Sequence, residues 1–334
     1  RVKVPAGEAG AAPITARHPD AEVHGSIRFA YTVRPSIWFT AEELKVLRDR
    51  SMREPWKAYR EKMVGLAEGA VGLRPGRAHG RSNSAPPVFW AYVLTGEQKY
   101  RNRALDWIRY FLDEPRLGEW YYEEAYLMMV GYELLRDEMD TKLRSRVQQH
   151  LLKVLDHYIE NDAHGSWFAA NPTSTNPMVN SSAVPLALMF EHVHEGSDEV
   201  VETAKGFLTH YIDLAISPDG AWTEGMSWAT TGLSDYLDVA RLLARHREDT
   251  SLLGRDRLAK ATRMYEVMTA SPTDLITYNN MHHGMKGAAV AAHLDARYDK
   301  PLMRWVADAS AGHVGRGGAN ELARALMWRS AKPA

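Results

Sequence analysis

Thr40-Ala-Glu-Glu43 marks the point where regular structure begins. The Thr40 hydroxyl can accept the amide of the third helical residue while the Glu43 carboxylate reaches back to the cap amide, a reciprocal start signal for a helix. From there on, apolar residues recur at spacings of three and four, as in Leu127, Val130 and Leu134 with Met128 and Leu135, in Leu151, Leu152, Leu155 and Tyr158, and in Leu237, Ala240, Leu243 and Ala244. Runs of β-branched residues are few, so the chain reads as nearly all-α. Residues 1–36 are rich in Gly, Ala and Pro without a helical period and are expected to form an extended N-terminal arm.

The connections between these segments alternate in character. Tight turns are expected near Thr95-Gly96-Glu97, 137–140, 195–197, 246–256 and 296–301, and long polar loops near 73–87, 113–120, 161–177, 217–228, 271–284 and 312–319. Successive connections in a chain of antiparallel helices fall at opposite ends, so every long loop belongs to the same end. A solenoid would also stack helical hairpins, but no fixed-period self-similarity accompanies the pattern. The expected architecture is therefore an (α/α) toroid of antiparallel helical hairpins over residues 37–334, with one elaborate rim.

Composition narrows the function classes. The 334 residues are 45% hydrophobic with a mean hydropathy of −0.39, the balance of a globular chain with a sizeable core. With 41 basic and 42 acidic residues the formal charge is −1, so no global field favours nucleic acid. The longest apolar run, 183–190, is too short to insert in a membrane. Cysteine is absent, which excludes disulfides and thiolate metal sites. No signal peptide is visible and the chain begins at Arg1 without an initiator Met, as after removal of a leader or trimming of the sequence; a secreted or periplasmic location is expected.

The rim carries the chemistry. In Ser217-Pro-Asp-Gly-Ala-Trp-Thr-Glu-Gly-Met-Ser-Trp228, Pro218 and Gly220 frame a turn, Asp219 and Glu224 supply charge, and Trp222 and Trp228 offer flat apolar faces of the kind that stack on sugar rings. The same residues could instead fill the core and cap helices. The loop at 161–177 holds Asp162, His164, Trp167, Asn171 and Asn176, with Asn180 just beyond. Neutral amides suit hydrogen bonds to a sugar carboxylate, although Asn-Pro pairs are also ordinary turn chemistry. Tyr278-Asn-Asn280-Met-His282-His283 is the best proton-transfer inventory of the chain. No ligand stands at helical spacing beside the two histidines, so a metal site is not expected. Arg77, His79, Arg81 and Asn83 form a local basic cluster that suits acidic sugars or is simply a solvated loop. No dinucleotide fingerprint, Walker sequence or nucleophile elbow is present.

Three segments together resemble the toroid domain of heparinase II/III-like polysaccharide lyases. They are Arg34-Pro-Ser-Ile-Trp-Phe-Thr-Ala-Glu-Glu-Leu-Lys-Val-Leu-Arg48, Thr175-Asn-Pro-Met-Val-Asn180 and Pro218-Asp-Gly-Ala-Trp-Thr-Glu-Gly-Met-Ser-Trp228. The resemblance implies β-elimination in a uronic-acid polymer without a cofactor. It gives Asn176 the role of holding the uronate carboxylate, His282 or His283 that of base, and Tyr278 that of acid. Trp167, Asn171, Asn180, Asp219, Trp222, Trp228 and Asn280 would bind substrate, with Arg77 or Arg81 holding further anionic groups. Two positions depart from the family pattern. Pro177 follows the Asn where Trp or His is common, and Trp228 stands where a catalytic Tyr is expected. Family members commonly carry a C-terminal β-sandwich, which is not expected within these residues. Glycoside hydrolysis through Asp219 and Glu224, and a non-catalytic glycan-binding toroid, remain the alternatives.

Overall fold

The computed structural model describes residues 11–18, 21–28, 36–76, 81–115, 120–268, 287–314 and 319–329. Thr40 opens the helical body as its sequence predicts: Glu43 N donates to Thr40 Oγ1 at 3.1 Å and Thr40 N to Glu43 Oε2 at 2.7 Å. The helices that follow are α1 (Ala41–Arg50), α2 (Trp56–Val71), α3 (Arg81–Thr95), α4 (Gln98–Asp113), α5 (Trp120–Leu135), α6 (Thr141–Asn161), α7 (Trp167–Ala170), α8 (Thr175–Phe190), α9 (Ser197–Ala215), α10 (Met226–Arg247), α11 (Asp256–Lys260), α12 (Thr262–Met268), α13 (Ala288–Tyr298), α14 (Pro301–His313) and α15 (Ala319–Trp328). Within the expected extended arm, β1 (Ala11–His18) and β2 (Ala21–Arg28) pair as an antiparallel hairpin, and no strand follows among the described residues.

Two helix starts fall earlier than the prolines suggest. α8 begins at Thr175, so Pro177 lies in the first turn, where a backbone N–H has no intrahelical partner to lose. α3 begins at Arg81 and carries Pro86 and Pro87 inside it, which shortens the expected 73–87 loop. Neither proline can donate back to the turn before it.

Helices α3, α5, α8, α10, α13 and α15 each pack on the next, and α15 returns to α3, closing an inner ring. Outside it, α2 backs α3, α4 and α6 back α5, α9 backs α8, and α14 backs α13; α11 leans on α9 and α12 on α14. The sequence of the inner helices fits this double enclosure. Apart from Thr175 and Met178, all of α8 is buried, as is α13 from Ala288 to Asp295, whose four alanines allow close approach. The tight connections after α3, α5, α8, α10 and α13 lead from an inner helix to an outer one, and the connections into α3, α5, α8, α10, α13 and α15 lead back in. The fold is an all-α toroid with one plain and one elaborate end.

The ring is fastened where its two ends meet. Tyr59 of α2 donates to Asp308 of α14 at 2.8 Å, Trp90 of α3 donates to Asn320 of α15 at 3.1 Å, and Lys62 donates to the Gly312 carbonyl at 2.9 Å. On the axis, the buried guanidinium of Arg324 on α15 reaches two other inner helices. It donates to Asp238 at 2.7 Å and Asp235 at 2.9 Å on α10, and to the Tyr126 hydroxyl on α5 at 2.7 Å. The Tyr126 hydroxyl in turn donates to Asp238 at 2.7 Å.

A strap formed by Ile37, Trp38 and Phe39 closes the plain end. Glu133, in the last turn of α5, accepts Ile37 N at 3.1 Å, Trp38 N at 2.9 Å and Phe39 N at 2.6 Å. Arg245, near the C-terminus of α10, donates to Trp38 O at 2.8 Å, and His246 Nε2 lies 2.7 Å from Ile37 O. The strap's rings point inward, with Trp38 edge-on to Tyr126 at 5.7 Å and Phe39 edge-on to Trp90 at 5.5 Å.

Two outcomes follow from these buried charges. Arg324→Ala strands two carboxylates on the axis and is expected to lower unfolding free energy by about 3–5 kcal/mol, read from denaturant melts. Burial pushes the Glu133 carboxyl from 4.5 up to about 7, against the three backbone amides that favour its ionised form. An acid that holds its proton more tightly when folded stabilises the fold fully below its unfolded value, and that contribution is lost as pH rises through its folded value. Wild-type stability is therefore expected to carry a decline between pH 4.5 and about 7 that Glu133→Gln flattens, by an amount on the order of 3 kcal/mol.

Candidate functional site

The connection before α10 is folded tightly against its neighbours. Ser217 N donates to Ala221 O at 2.8 Å and Gly220 N to Ser217 O at 3.0 Å, giving the turn that Pro218 and Gly220 predict. Gly220 has a φ of +94°, and a Cβ there would lie 2.5 Å from Lys260 O, so both conformation and space require glycine. Glu224 then joins two long connections, accepting Ser174 N at 2.6 Å and Ser174 Oγ at 3.3 Å. Gly232 permits the approach of α10, since a Cβ there would meet Ser174 Cα at 2.9 Å and Tyr211 OH at 2.6 Å.

Several residues expected to face a ligand are instead built into these loops. Asn176 is fully buried, and its Nδ2 donates to Asn171 O at 2.9 Å and Phe207 O at 3.1 Å. Asn180 is equally buried, donating to Ala169 O at 3.0 Å and Asn176 O at 2.8 Å while accepting from Tyr158 OH at 2.7 Å. Asn171 shapes an Asx turn, accepting Thr173 N at 2.7 Å and donating to Trp167 O. Buried loop carbonyls need donors, and these amides supply them, so they offer no surface to substrate. Trp222 is also a correction: it is 3% exposed and stands edge-on to Tyr265 at 5.6 Å, a core plug rather than a stacking wall. Asp219 is exposed, but its carboxylate accepts from Ser217 Oγ within its own turn, a hydrogen bond that holds its pKa below the ordinary value.

Other expectations find exposed positions or fall outside the structure. Trp167 on α7 is 66% exposed and stands edge-on to Phe168 at 5.4 Å, and Trp228 on α10 is 40% exposed. Arg81 and Asn83 lie in the first turn of α3, with side chains outside the described set. Arg77, His79, Tyr278, Asn280, His282 and His283 lie outside the described residues.

Trp228, Thr231 and Asp235 share one face of α10, running from exposed through exposed to half-buried. Asp235 meets Arg324 on the axis, so this face looks inward and Trp228 stands at the mouth of the ring above the Arg324 cluster. Half-buried Glu321 precedes Arg324 by three residues on α15. Sequence reading passed over Tyr126, Asp235, Glu321 and Arg324, although Asp235 and Asp238 in the leucine-rich 233–243 stretch signal a buried partner. Burial raises the Glu224 pKa against the opposing pull of Ser174, and burial raises Tyr126 well above its ordinary value. Among the described residues, no group of three or more His, Asp and Glu side chains could hold a metal.

The contrast between the two indoles is testable. Trp222→Ala is expected to cost about 3–5 kcal/mol of stability, whereas Trp228→Ala, at the mouth, stays within about 1 kcal/mol of the parent; urea melts of both variants decide it.

No protein-family model and no curated protein matches the sequence. Among solved structures, the chain is similar to an alginate lyase from Bacteroides ovatus, with a TM-score of 0.57 and 11% sequence identity over 84% of this chain and 97% of that one. The resemblance read from sequence is thus met by a polysaccharide-lyase fold, without a match specific to the heparinase II/III-like family. At that identity what the two share is the architecture, and this chain has the all-α toroid that an alginate lyase also uses.

Proposed function

We propose that this toroid is a polysaccharide lyase that cleaves a uronic-acid-containing polymer by β-elimination. The observation that supports this most is the inward face of α10, which leads from the exposed indole of Trp228 past Thr231 to the charged cluster below. An exposed aromatic above polar groups is suited to a sugar chain, and the alginate lyase of like fold makes an acidic polysaccharide the natural class. A secreted or periplasmic location fits such a substrate.

In the reaction, a base removes the C5 proton of the uronate and the electron pair forms the C4–C5 double bond. The C4–O4 bond breaks, and the departing O4 takes a proton. Tyr278 and the His282/His283 pair are the proposed proton carriers, and Glu224, half-buried with its pKa raised by burial, is a further acid–base candidate. Trp167 and Trp228 form sugar subsites, with Asn280, His79, Asn83, Arg77 and Arg81 contacting the chain and its anionic groups. Asn176 and Asn180 act through the loop they brace.

Incubation with alginate and other uronate polymers, following ultraviolet absorbance and reducing ends together, tests the proposal. Both signals are expected to rise in step. Tyr278→Phe should lower turnover by about 10²-fold with affinity retained, and Trp228→Ala should weaken binding. Reducing ends without the unsaturated chromophore, abolished by Glu224→Gln, would establish hydrolysis instead. Tight binding without any product would make the toroid a glycan-binding protein.

A further inference from the structure

At the plain end, opposite the mouth, a cavity of about 880 Å³ opens between α1 and the C-terminal half of α10. Its wall includes Trp38 of the strap, Arg50 and Val46 of α1, Arg241 of α10, and Met327 and Trp328 of α15. The volume lies within the range of ~300–1,000 Å³ typical of small-ligand sites.

Two donors in this wall lack acceptors. Trp38 Nε1 and Arg50 Nε are buried and have no hydrogen-bond partner. Arg50 lies over the Trp56 ring at 5.1 Å and Arg241 over the Trp328 ring at 5.3 Å, and among the described residues neither guanidinium is paired with a carboxylate. Burial lowers the pKa of half-buried Arg50; Arg241, exposed on the open side of the cavity, is also lowered by partial desolvation, against the opposing pull of the Asp238 carboxylate. No nearby acid forms an ion pair with either among the described residues, although the Asp238 charge acts on Arg241. Glu43 serves the α1 cap and Arg245 at 2.8 Å, Asp238 serves Arg324 and Tyr126, and Glu42 is exposed at the rim.

A guanidinium without a carboxylate partner matches a ligand carboxylate in a planar, two-bonded geometry, and indole faces beside it suit the apolar side of a sugar ring. We propose that this cavity is a second binding site, distinct from the mouth, for a carboxylate-bearing saccharide held by Arg50, Arg241 and the Trp38 indole N–H. The proposal takes only the choice of sugar acid from the lyase reading and does not require cleavage.

Calorimetric titration of the intact chain with trigalacturonate, with neutral maltotriose and inorganic sulfate as comparisons, tests it. Two binding events are expected for trigalacturonate. Arg241→Ala and Arg50→Ala should each weaken one event by about tenfold or more while leaving polymer turnover unchanged, and Trp228→Ala should weaken only the other. A single event that responds to Trp228→Ala alone overturns the second site, as does an affinity for maltotriose equal to that for trigalacturonate. Sulfate binding without trigalacturonate binding overturns the saccharide assignment. If no polymer is cleaved but Arg241→Ala still removes a binding event, the lyase reading fails and this site stands.

Discussion

A guanidinium sealed inside a protein must be surrounded by acceptors, and Arg324 imposes that demand on the axis of this ring. Its partners come from α5 and α10, inner helices that are not its ring neighbours, so the network crosses the ring instead of following it. Apolar packing between adjacent helices tolerates sliding and repacking. Directed hydrogen bonds across the axis do not, and they fix the height of α5, α10 and α15 relative to one another. Everything presented at either end of the ring inherits that register.

The two ends then diverge because their connections do. At the plain end the chain is short between helices, and Glu133 uses one carboxylate to gather three consecutive strap amides, carrying Trp38 onto Tyr126. At the elaborate end, Glu224 gathers Ser174 in a comparable way, but the surrounding loops leave Trp167, Phe168 and Trp228 in solvent. Helix α10 spans both ends. Its inward face bears Trp228 at the mouth, Asp235 and Asp238 in the middle and Arg241 at the far cavity. Asp238 of the Arg324 cluster also lines that cavity.

Local rules made much of this legible in the sequence. The Thr40–Glu43 cap and the helical periods are properties of neighbouring residues and appear where the sequence puts them, whereas the expected 73–87 connection is shortened by the early start of α3. The misreadings have a common cause. Asn176, Asn180 and Trp222 have side chains that suit a sugar, but the same chemistry suits a loop carbonyl or a core gap, and only burial distinguishes the two uses. The cluster around Arg324 carries no local signature, because its partners lie 86 and 89 residues away. Glu133 likewise grips amides more than ninety residues upstream. A spacing rule detects neither.

Closure of the ring has a consequence for how the protein is made. The bonds that fasten α2 and α3 to α14 and α15 join residues separated by 249, 250 and 230 positions. During synthesis the early helices emerge long before their final partners, and their apolar flanks wait uncovered while the ribosome finishes the chain. The late arrival of Arg324 leaves Asp235 and Asp238 uncompensated during the same interval, which disfavours premature collapse of α10 onto α5. A nascent chain of this kind is a natural client for chaperones, and its folding rate is set by loop closure more than by helix formation.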